Sequence, residues 1–379
     1  MKRLNTNTYT FYGKCNRVFL LIVFMLATYG TIAVFTSGYA YAQFRYSDSL
    51  YFVKKQTLWL SLGIITMFIS KKINTSVLKK IAPLAYTATL ILLGLTLIVG
   101  FVGNGAKRWI SLGPITIQPS EIAKLTMVMM IAKYFSDNEA LCLERLNSKA
   151  IFTKGTLIPF LIMLLPIFLV MLQKHLSCII ILGSIGLILI ILSGIGLKYV
   201  GGFVGIGALG VTYIALFTDY TKDRITVWRN PEAYKLTGGW QTLQGLMAIG
   251  SGGLFGKGLG NGELKYCYVS EPANDMIFAI VCEELGLLGA LLVLTLFGAL
   301  IYLGARIACK ANDTFDRLLA LGIIIKVAIQ VLLNVAVVTN TIPNTGISLP
   351  FFSYGGSSLI MLFFEMGIIL SISSKKERS

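Results

Sequence analysis

Ten apolar stretches, each close to the roughly 20 residues that carry a helix across a bilayer, take up most of this 379-residue chain. They run at Val18–Ser37, Phe52–Ser70, Ile81–Val102, Glu121–Phe135, Gly155–Leu172, Leu176–Ser193, Val200–Phe217, Met276–Tyr302, Leu318–Thr339 and Ser348–Ile372. Only 13% of the residues are charged and mean hydropathy is +0.76, about half the charged fraction of a soluble domain. The expectation is an all-α, polytopic membrane protein of about ten transmembrane helices. Residues 1–379 form one membrane domain, and residues 219–275 form one large loop between the seventh and eighth spans. The second and fourth stretches are the weakest, because polar residues flank or interrupt them. The first has the length of a signal peptide but no clear small-residue cleavage site, and many spans follow it, so it reads as retained.

The six cysteines are scattered without a C-x-x-C pair and the chain has one histidine, which argues against a structural disulfide or zinc site. The net charge of +16 could suggest a nucleic-acid partner, but its distribution speaks for topology instead. With the N-terminus in the cytoplasm, more than half of the 33 Lys and Arg residues fall in cytoplasmic segments. The positive-inside rule therefore favours N-in and, with ten spans, C-in. Four unusual polar segments then share the outer face: Gly103–Pro119, Gln173–His175, Asp219–Asp275 and Asn340–Ile347. Their substrate or partner is expected at the outer leaflet, where ATP chemistry is improbable.

Asp275 stands where the long loop re-enters the bilayer, directly before Met276-Ile277-Phe278-Ala279. Carboxylates at that depth are costly and usually functional. Asp275 reads either as a general base with a tunable proton affinity or as a helix N-cap. Glu283 and Glu284 lie about two turns deeper, and a buried, hydrogen-bonded structural role is favoured for at least one of them. Lys107-Arg108-Trp109, beside Gly103 and Gly105, has the cations to hold a phosphate and an aromatic ring to anchor at the interface. In Gln118-Pro119-Ser120-Glu121, Ser120 can cap the fourth span, and Glu121 and Lys124 share a helix face and can pair. That pair marks either a polar cavity or a structural ion pair.

Gly250–Gly260 imitates a phosphate-binding loop but fails the pattern: Ser251 occupies the first glycine position, and Gly258 replaces the required Ser or Thr. It remains either an anion cradle or packed re-entrant backbone. His175, beside Lys174, reads as a polar interfacial residue. Lys326 and Glu365, within the last two spans, can pair. In Ile342–Ser358, two prolines and three glycines break the helix near a span entry, as backbone lining a cavity does. The hydroxyls of Ser353, Ser357 and Ser358 are candidates to line it.

At these residues the chain closely resembles the SEDS family, the FtsW/RodA/SpoVE proteins of bacterial cell-wall synthesis. The resemblance spans nearly the full length. It is carried by Thr345–Ser358, Lys107-Arg108-Trp109, Gln118–Glu121 with Lys124, Gly250–Gly260, Asp275–Ala279 and Glu283–Gly286. It implies a peptidoglycan glycosyltransferase that polymerises lipid II into glycan strands at the outer face, for division, shape or sporulation. It also implies a class B penicillin-binding protein as partner, with other divisome or elongasome proteins. The family's catalytic aspartate maps onto Asp275. Its loop arginine and tryptophan map onto Arg108 and Trp109, and its embedded acid and lysine onto Glu121 and Lys124. Lysine, arginine or a divalent cation (Mg or Mn) are alternative ways to neutralise the pyrophosphate, and no ligand cluster in the sequence chooses among them.

Two departures mark a divergent paralogue. The family pattern Gln-Pro-Asp-Leu-Gly is here Gln173-Lys174-His175-Leu176-Ser177, and Thr-Asp-Phe-Ile-Phe is here Asn274-Asp275-Met276-Ile277-Phe278. A lipid II flippase is the transporter alternative, but it would need polar groups along a path to the cytoplasmic face. A scaffold that recruits a transpeptidase is the non-catalytic alternative, against which the retained Asp275 weighs.

Overall fold

Polar residues decide where this chain turns and which helices meet lipid. The computed structural model describes residues 6–103, 106–113, 115–139, 151–195, 200–202, 205, 219–266 and 272–378. Three helices come first: α1 (Thr6–Tyr46), α2 (Tyr51–Lys72) and α3 (Thr75–Val99). The polar segment that follows is a small antiparallel meander of β1 (Phe101–Gly103), β2 (Ala106–Leu112) and β3 (Ile115–Ile117). Then come α4 (Pro119–Asp137), a π-helical turn (Ile151–Leu157) leading into α5 (Ile158–Leu172), and α6 (Leu176–Leu192). The long loop holds α7 (Asp219–Arg229), a 3-10 turn (Pro231–Tyr234) and α8 (Trp240–Gly252). The chain closes with α9 (Ile277–Cys309), α10 (Thr314–Val338) and α11 (Gly356–Arg378).

Nine of the ten expected spans are thus helices among the described residues. Most of the seventh, Val200–Phe217, lies outside them, as do Asn104, Gly105 and Glu271. Among the described residues seven helices are long and apolar enough to cross a membrane, and α6 is apolar but shorter. The chain is therefore a multi-pass membrane protein.

The polar α4 is explained by its surroundings. It packs against α3, α5, α6 and α10, so Met127, Ile131 and Phe135 are buried together with Glu121 and Lys124. A helix held inside the bundle needs no lipid-facing surface. Its N-cap is Gln118, with Pro119 at the first helical position, where a missing N–H costs nothing. Ser120 therefore lies inside the helix rather than capping it. Leucines 287, 288, 291 and 292 of α9 stay exposed, as a lipid-facing stripe should. Where α2 and α11 meet, the backbones come very close: a Cβ on Gly367 would lie 2.2 Å from the Met67 carbonyl oxygen. Small residues permit such approach between membrane helices.

The glycine run after α8 is packed re-entrant backbone. Inside α9, Gly286 adopts φ 65°, ψ −164°, which breaks the helical ladder. In an unbroken helix the carbonyls of Glu283 and Glu284 would accept from the N–H groups of Leu287 and Leu288. Here they accept instead from Lys257 N (3.0 Å) and Gly258 N (2.9 Å), while Leu287 N and Leu288 N donate to the carbonyls of Gly253 (2.9 Å) and Leu254 (3.2 Å). The run therefore repairs the very bonds that the kink removes, as buried backbone requires. At Gly256 it fits only without a side chain, because a Cβ there would lie 2.2 Å from the Glu284 carbonyl oxygen.

Gly286→Ala should lower stability by at least the 1–3 kcal/mol of an essentially glycine-only backbone conformation, because its Cβ would also lie 2.4 Å from Gly256 N. Thermal unfolding of the purified variant in detergent, compared with the unaltered protein, measures this; an unchanged midpoint would contradict the account.

Candidate active site

Asp275 lies in the turn directly before α9 and is half-buried. The cap position of α9 is Met276, so Asp275 stands one residue outside it. Its backbone is held from three directions. Asn334 of α10 donates from Nδ2 to the Asp275 carbonyl (2.9 Å) and to that of Ile347 (2.7 Å). Tyr354 N donates to the Ala273 carbonyl at 2.8 Å. Ser353 Oγ donates to the Asn274 carbonyl at 2.7 Å while accepting from Leu349 N at 2.7 Å. Both hydrogen-bonding directions of Ser353 are thus engaged in fixing the turns on either side. The Asp275 carboxylate is approached by Gln241 of α8, whose Nε2 lies 3.3 and 3.4 Å from its two oxygens. The Gln241 side-chain oxygen accepts in turn from Asn344 Nδ2 at 3.2 Å.

Two of the four polar segments singled out in the sequence, 219–275 and 340–347, meet at Asp275, and the other two are linked to them in a chain. Segment 340–347 is held to α7 by Trp228 Nε1 donating to the Asn340 carbonyl (2.9 Å) and by Arg224 donating to that of Asn344. Ser177, in the first turn of α6, donates to the Thr345 carbonyl. Arg108 of β2 reaches from the meander to the turn between α5 and α6, where Nη2 donates to the Lys174 carbonyl at 2.6 Å. Lys107 and Trp109 alternate with Arg108 along the strand and so project from its other face. Lys107 is exposed and its Nζ lies 3.4 Å from the Leu97 carbonyl. Of this expected clamp, Arg108 alone is tied to the converging segments.

Beside this meeting point lies a small, partly open cavity. It is lined by Glu121, Lys326, Gln330, residues 348–351, Ser353, Ser358, Leu359 and Leu362. Ser358 Oγ donates to the Gly355 carbonyl at 3.1 Å, and Ser357 Oγ is buried without a protein partner. Behind the lining, Lys124 Nζ pairs with Glu121 at 2.7 Å and Lys326 Nζ with Glu365 at 2.6 Å. Lys326, Gln330 and Asn334 recur every four residues, which puts them on one face of α10. That polar stripe runs from the buried ion pair to the carbonyl of Asp275. Glu283 and Glu284 are structural. The first accepts from Glu263 N (2.8 Å) and Lys257 Nζ (3.1 Å), the second from Lys265 Nζ (2.7 Å).

Sequence reasoning missed Gln241, Asn334 and Arg224. Asn334 left a signal, being a polar residue in register with Lys326 and Gln330 within an apolar span. Gln241 and Arg224 left none, since their roles arise only when the long loop folds back. Among the described residues no group of three His, Cys, Asp or Glu side chains is gathered to hold a metal ion. Of the expected cations, Arg108, whose Nε is buried without a protein partner, fits an anionic group, whereas Lys124 is paired with Glu121.

The family model described as "cell cycle protein", FtsW/RodA/SpoVE, matches residues 16–378. The chain belongs to that family. It is 37% identical over 356 residues to stage V sporulation protein E of Bacillus subtilis, covering 93% of this chain and 95% of the relative. It is 32% identical to peptidoglycan glycosyltransferase MrdB of Escherichia coli, covering 98% of each. Among solved structures, a chain from a study of the structural coordination of polymerization and crosslinking by a peptidoglycan synthase complex superposes with a TM-score of 0.78. That match has 25% identity and covers 95% of this chain and 98% of the other.

Removing one partner of a buried ion pair strands the other charge, at a cost of about 3–5 kcal/mol, whereas removing both is far milder. Lys326→Met and Glu365→Leu should each destabilise the protein strongly, and the double variant by much less than the sum. A double-mutant cycle of unfolding free energies in detergent checks this; additive losses would mean that the pair is not coupled.

Proposed function

We propose that this protein is a peptidoglycan glycosyltransferase that polymerises lipid II, with Asp275 as the general base. The observation that carries the proposal is a half-buried carboxylate at the end of an apolar bundle, its turn fixed by bundle side chains and its oxygens met by the folded-back loop. A base must keep a defined position while its carboxylate stays reachable. The backbone of the Asp275 turn is fixed by Asn334, Ser353 and Tyr354, and its carboxylate oxygens meet the neutral amide of Gln241.

In the reaction an acceptor sugar hydroxyl transfers its proton to Asp275 as its oxygen bonds to the anomeric carbon of the donor. The bond from that carbon to the pyrophosphate oxygen breaks, and the leaving group carries away the electron pair. Developing negative charge on the pyrophosphate needs fixed positive charge nearby. Arg108 supplies it from β2, with the Glu121-paired Lys124 of α4 behind it, Lys107 at the exposed rim and Trp109 as interfacial anchor. The cavity beside Glu121, Lys326, Ser353 and Ser358 offers polar groups to the reacting end of the substrate.

The Asp275 end of the bundle faces outward, as the positive-inside distribution of lysine and arginine supports. The opposite end carries Lys71 and Lys72 in the last turn of α2, and Lys375 bridges Asp316 (3.0 Å) and Thr75 (3.1 Å) there. A class B penicillin-binding protein, within a divisome or elongasome, would cross-link the strands. This follows from the likeness to a chain of a synthase complex that couples polymerization and crosslinking.

Asp275→Asn keeps the size of the side chain and removes the base, so glycan synthesis should fall by the 10²–10⁴-fold typical of a lost general base. Lipid II polymerisation by the purified protein with its class B partner, read out as glycan strands, is the measurement. An unchanged melting profile of the variant shows that the fold is intact. Full activity in the variant would remove Asp275 from the base role.

A further inference from the structure

The turn between α5 and α6 contains the one histidine of the chain, and the reaction as derived above leaves it unused. Its backbone is a helix-ending motif. Lys174 N donates to the Met171 carbonyl (3.0 Å) and His175 N to that of Val170 (3.3 Å), the two reversed bonds of a Schellman cap. The position that such a cap bends to the left is usually glycine. Here it is Lys174, at φ 52°, a conformation uncommon for a residue with a Cβ. The proline of the family pattern would supply neither that φ nor the N–H. The left-handed bend presents the Lys174 carbonyl to Arg108 Nη2, 2.6 Å away.

Two polar atoms beside that contact lack partners. His175 Nδ1 and Arg108 Nε are both buried without a hydrogen bond from the protein. The charged groups facing the imidazole are Arg108 from β2, and Lys124 and Glu121 from α4. Burial first, then Arg108 and Lys124, push the imidazole down to about 3, so the ring is neutral and can donate from Nδ1. Arg Nε can only donate. A buried donor without a partner costs about 1–3 kcal/mol, and an anion with several acceptor oxygens is a group that can accept from both. Lys124 is already offset by Glu121 at 2.7 Å, which leaves Arg108 as the uncompensated charge.

We propose that Arg108 Nε and His175 Nδ1 form a diphosphate subsite, with His175 donating as a neutral imidazole and Lys174 positioning Arg108 through its left-handed backbone. The subsite deepens the polymerase reading and rests on it for the identity of the ligand. A neutral donor aligns phosphate oxygens without adding a second full charge, so the product diphosphate is held less tightly than it would be by two cations.

The single histidine makes the test direct. Full-length protein in lipid nanodiscs, with ¹⁵N,¹³C-labelled histidine, gives one imidazole signal. That signal should stay in the neutral position across about pH 5 to 8, where an unperturbed histidine titrates. Inorganic pyrophosphate should move it saturably, and undecaprenyl diphosphate should do so at lower concentration if the lipid-linked form is the ligand. Arg108→Gln should abolish both responses, and Lys174→Pro should weaken them. In polymerisation assays, His175→Phe should raise KM for lipid II about tenfold, the equivalent of about one hydrogen bond, with kcat changed little. His175→Asn, which places an amide donor near the Nδ1 position, should restore KM.

A signal unmoved by either diphosphate, or one that titrates in the ordinary histidine range, would overturn the subsite. So would equal losses in His175→Phe and His175→Asn with both proteins folded. If His175→Phe does not fold, the spectra of the unaltered protein decide alone. The spectra need no turnover: a responsive imidazole in a protein that makes no glycan would keep the subsite and overturn the polymerase.

Discussion

A charge inside a bilayer has no water to turn to, and the architecture of this bundle follows from that constraint. Each deep lysine on α4 and α10 has its own glutamate, Lys124 with Glu121 and Lys326 with Glu365. The first pair lies wholly on α4 and is shielded because α4 is central, and the second requires α10 to meet α11. The apolar helices then arrange themselves around this polar axis, with their remaining faces toward lipid. The same constraint governs backbone: the interruption of α9 at Gly286 exists only because the glycine run supplies the missing partners.

The polar axis explains why the candidate chemistry sits at one end of the bundle. Lys326, Gln330 and Asn334 climb one face of α10 from the ion pair to the Asp275 turn. Ser353 and Tyr354 reach the same turn from the other side. Asp275 is thus fixed by groups that belong to the bundle itself, while Gln241, which meets its carboxylate, comes from the folded-back loop. A rigid frame and a contributed loop are the usual division of labour at a site.

Much of this was legible in the sequence, and the reasons differ from residue to residue. The spans were legible because apolar length is a local property, and the Glu121–Lys124 pair because three residues on a helix set a contact. A buried, hydrogen-bonded role was expected for at least one of Glu283 and Glu284, and both are found paired, with lysines 257 and 265. The meander from Phe101 to Ile117 was not legible as strands, since its pairing partners are few and its residues are typical of a polar loop. Nor was the loop's internal structure: α8 is helical because it packs on α9, and Gln241 acquires meaning only through that packing. The weakness of the fourth span in hydropathy was real but misleading, because hydropathy measures contact with lipid and α4 makes almost none.

The break at Gly286 divides α9 into two rods. The short one, from Ile277 to Leu285, carries Asp275 at its head and is pinned by lysines 257 and 265 and by the glycine run. The long one, from Leu287 to Cys309, shows leucines 287, 288, 291 and 292 to the lipid. The glycine run bonds to both rods, to the carbonyls of Glu283 and Glu284 on one side and to the N–H groups of Leu287 and Leu288 on the other, so the break works as a splice that fastens the long loop to the helix behind Asp275.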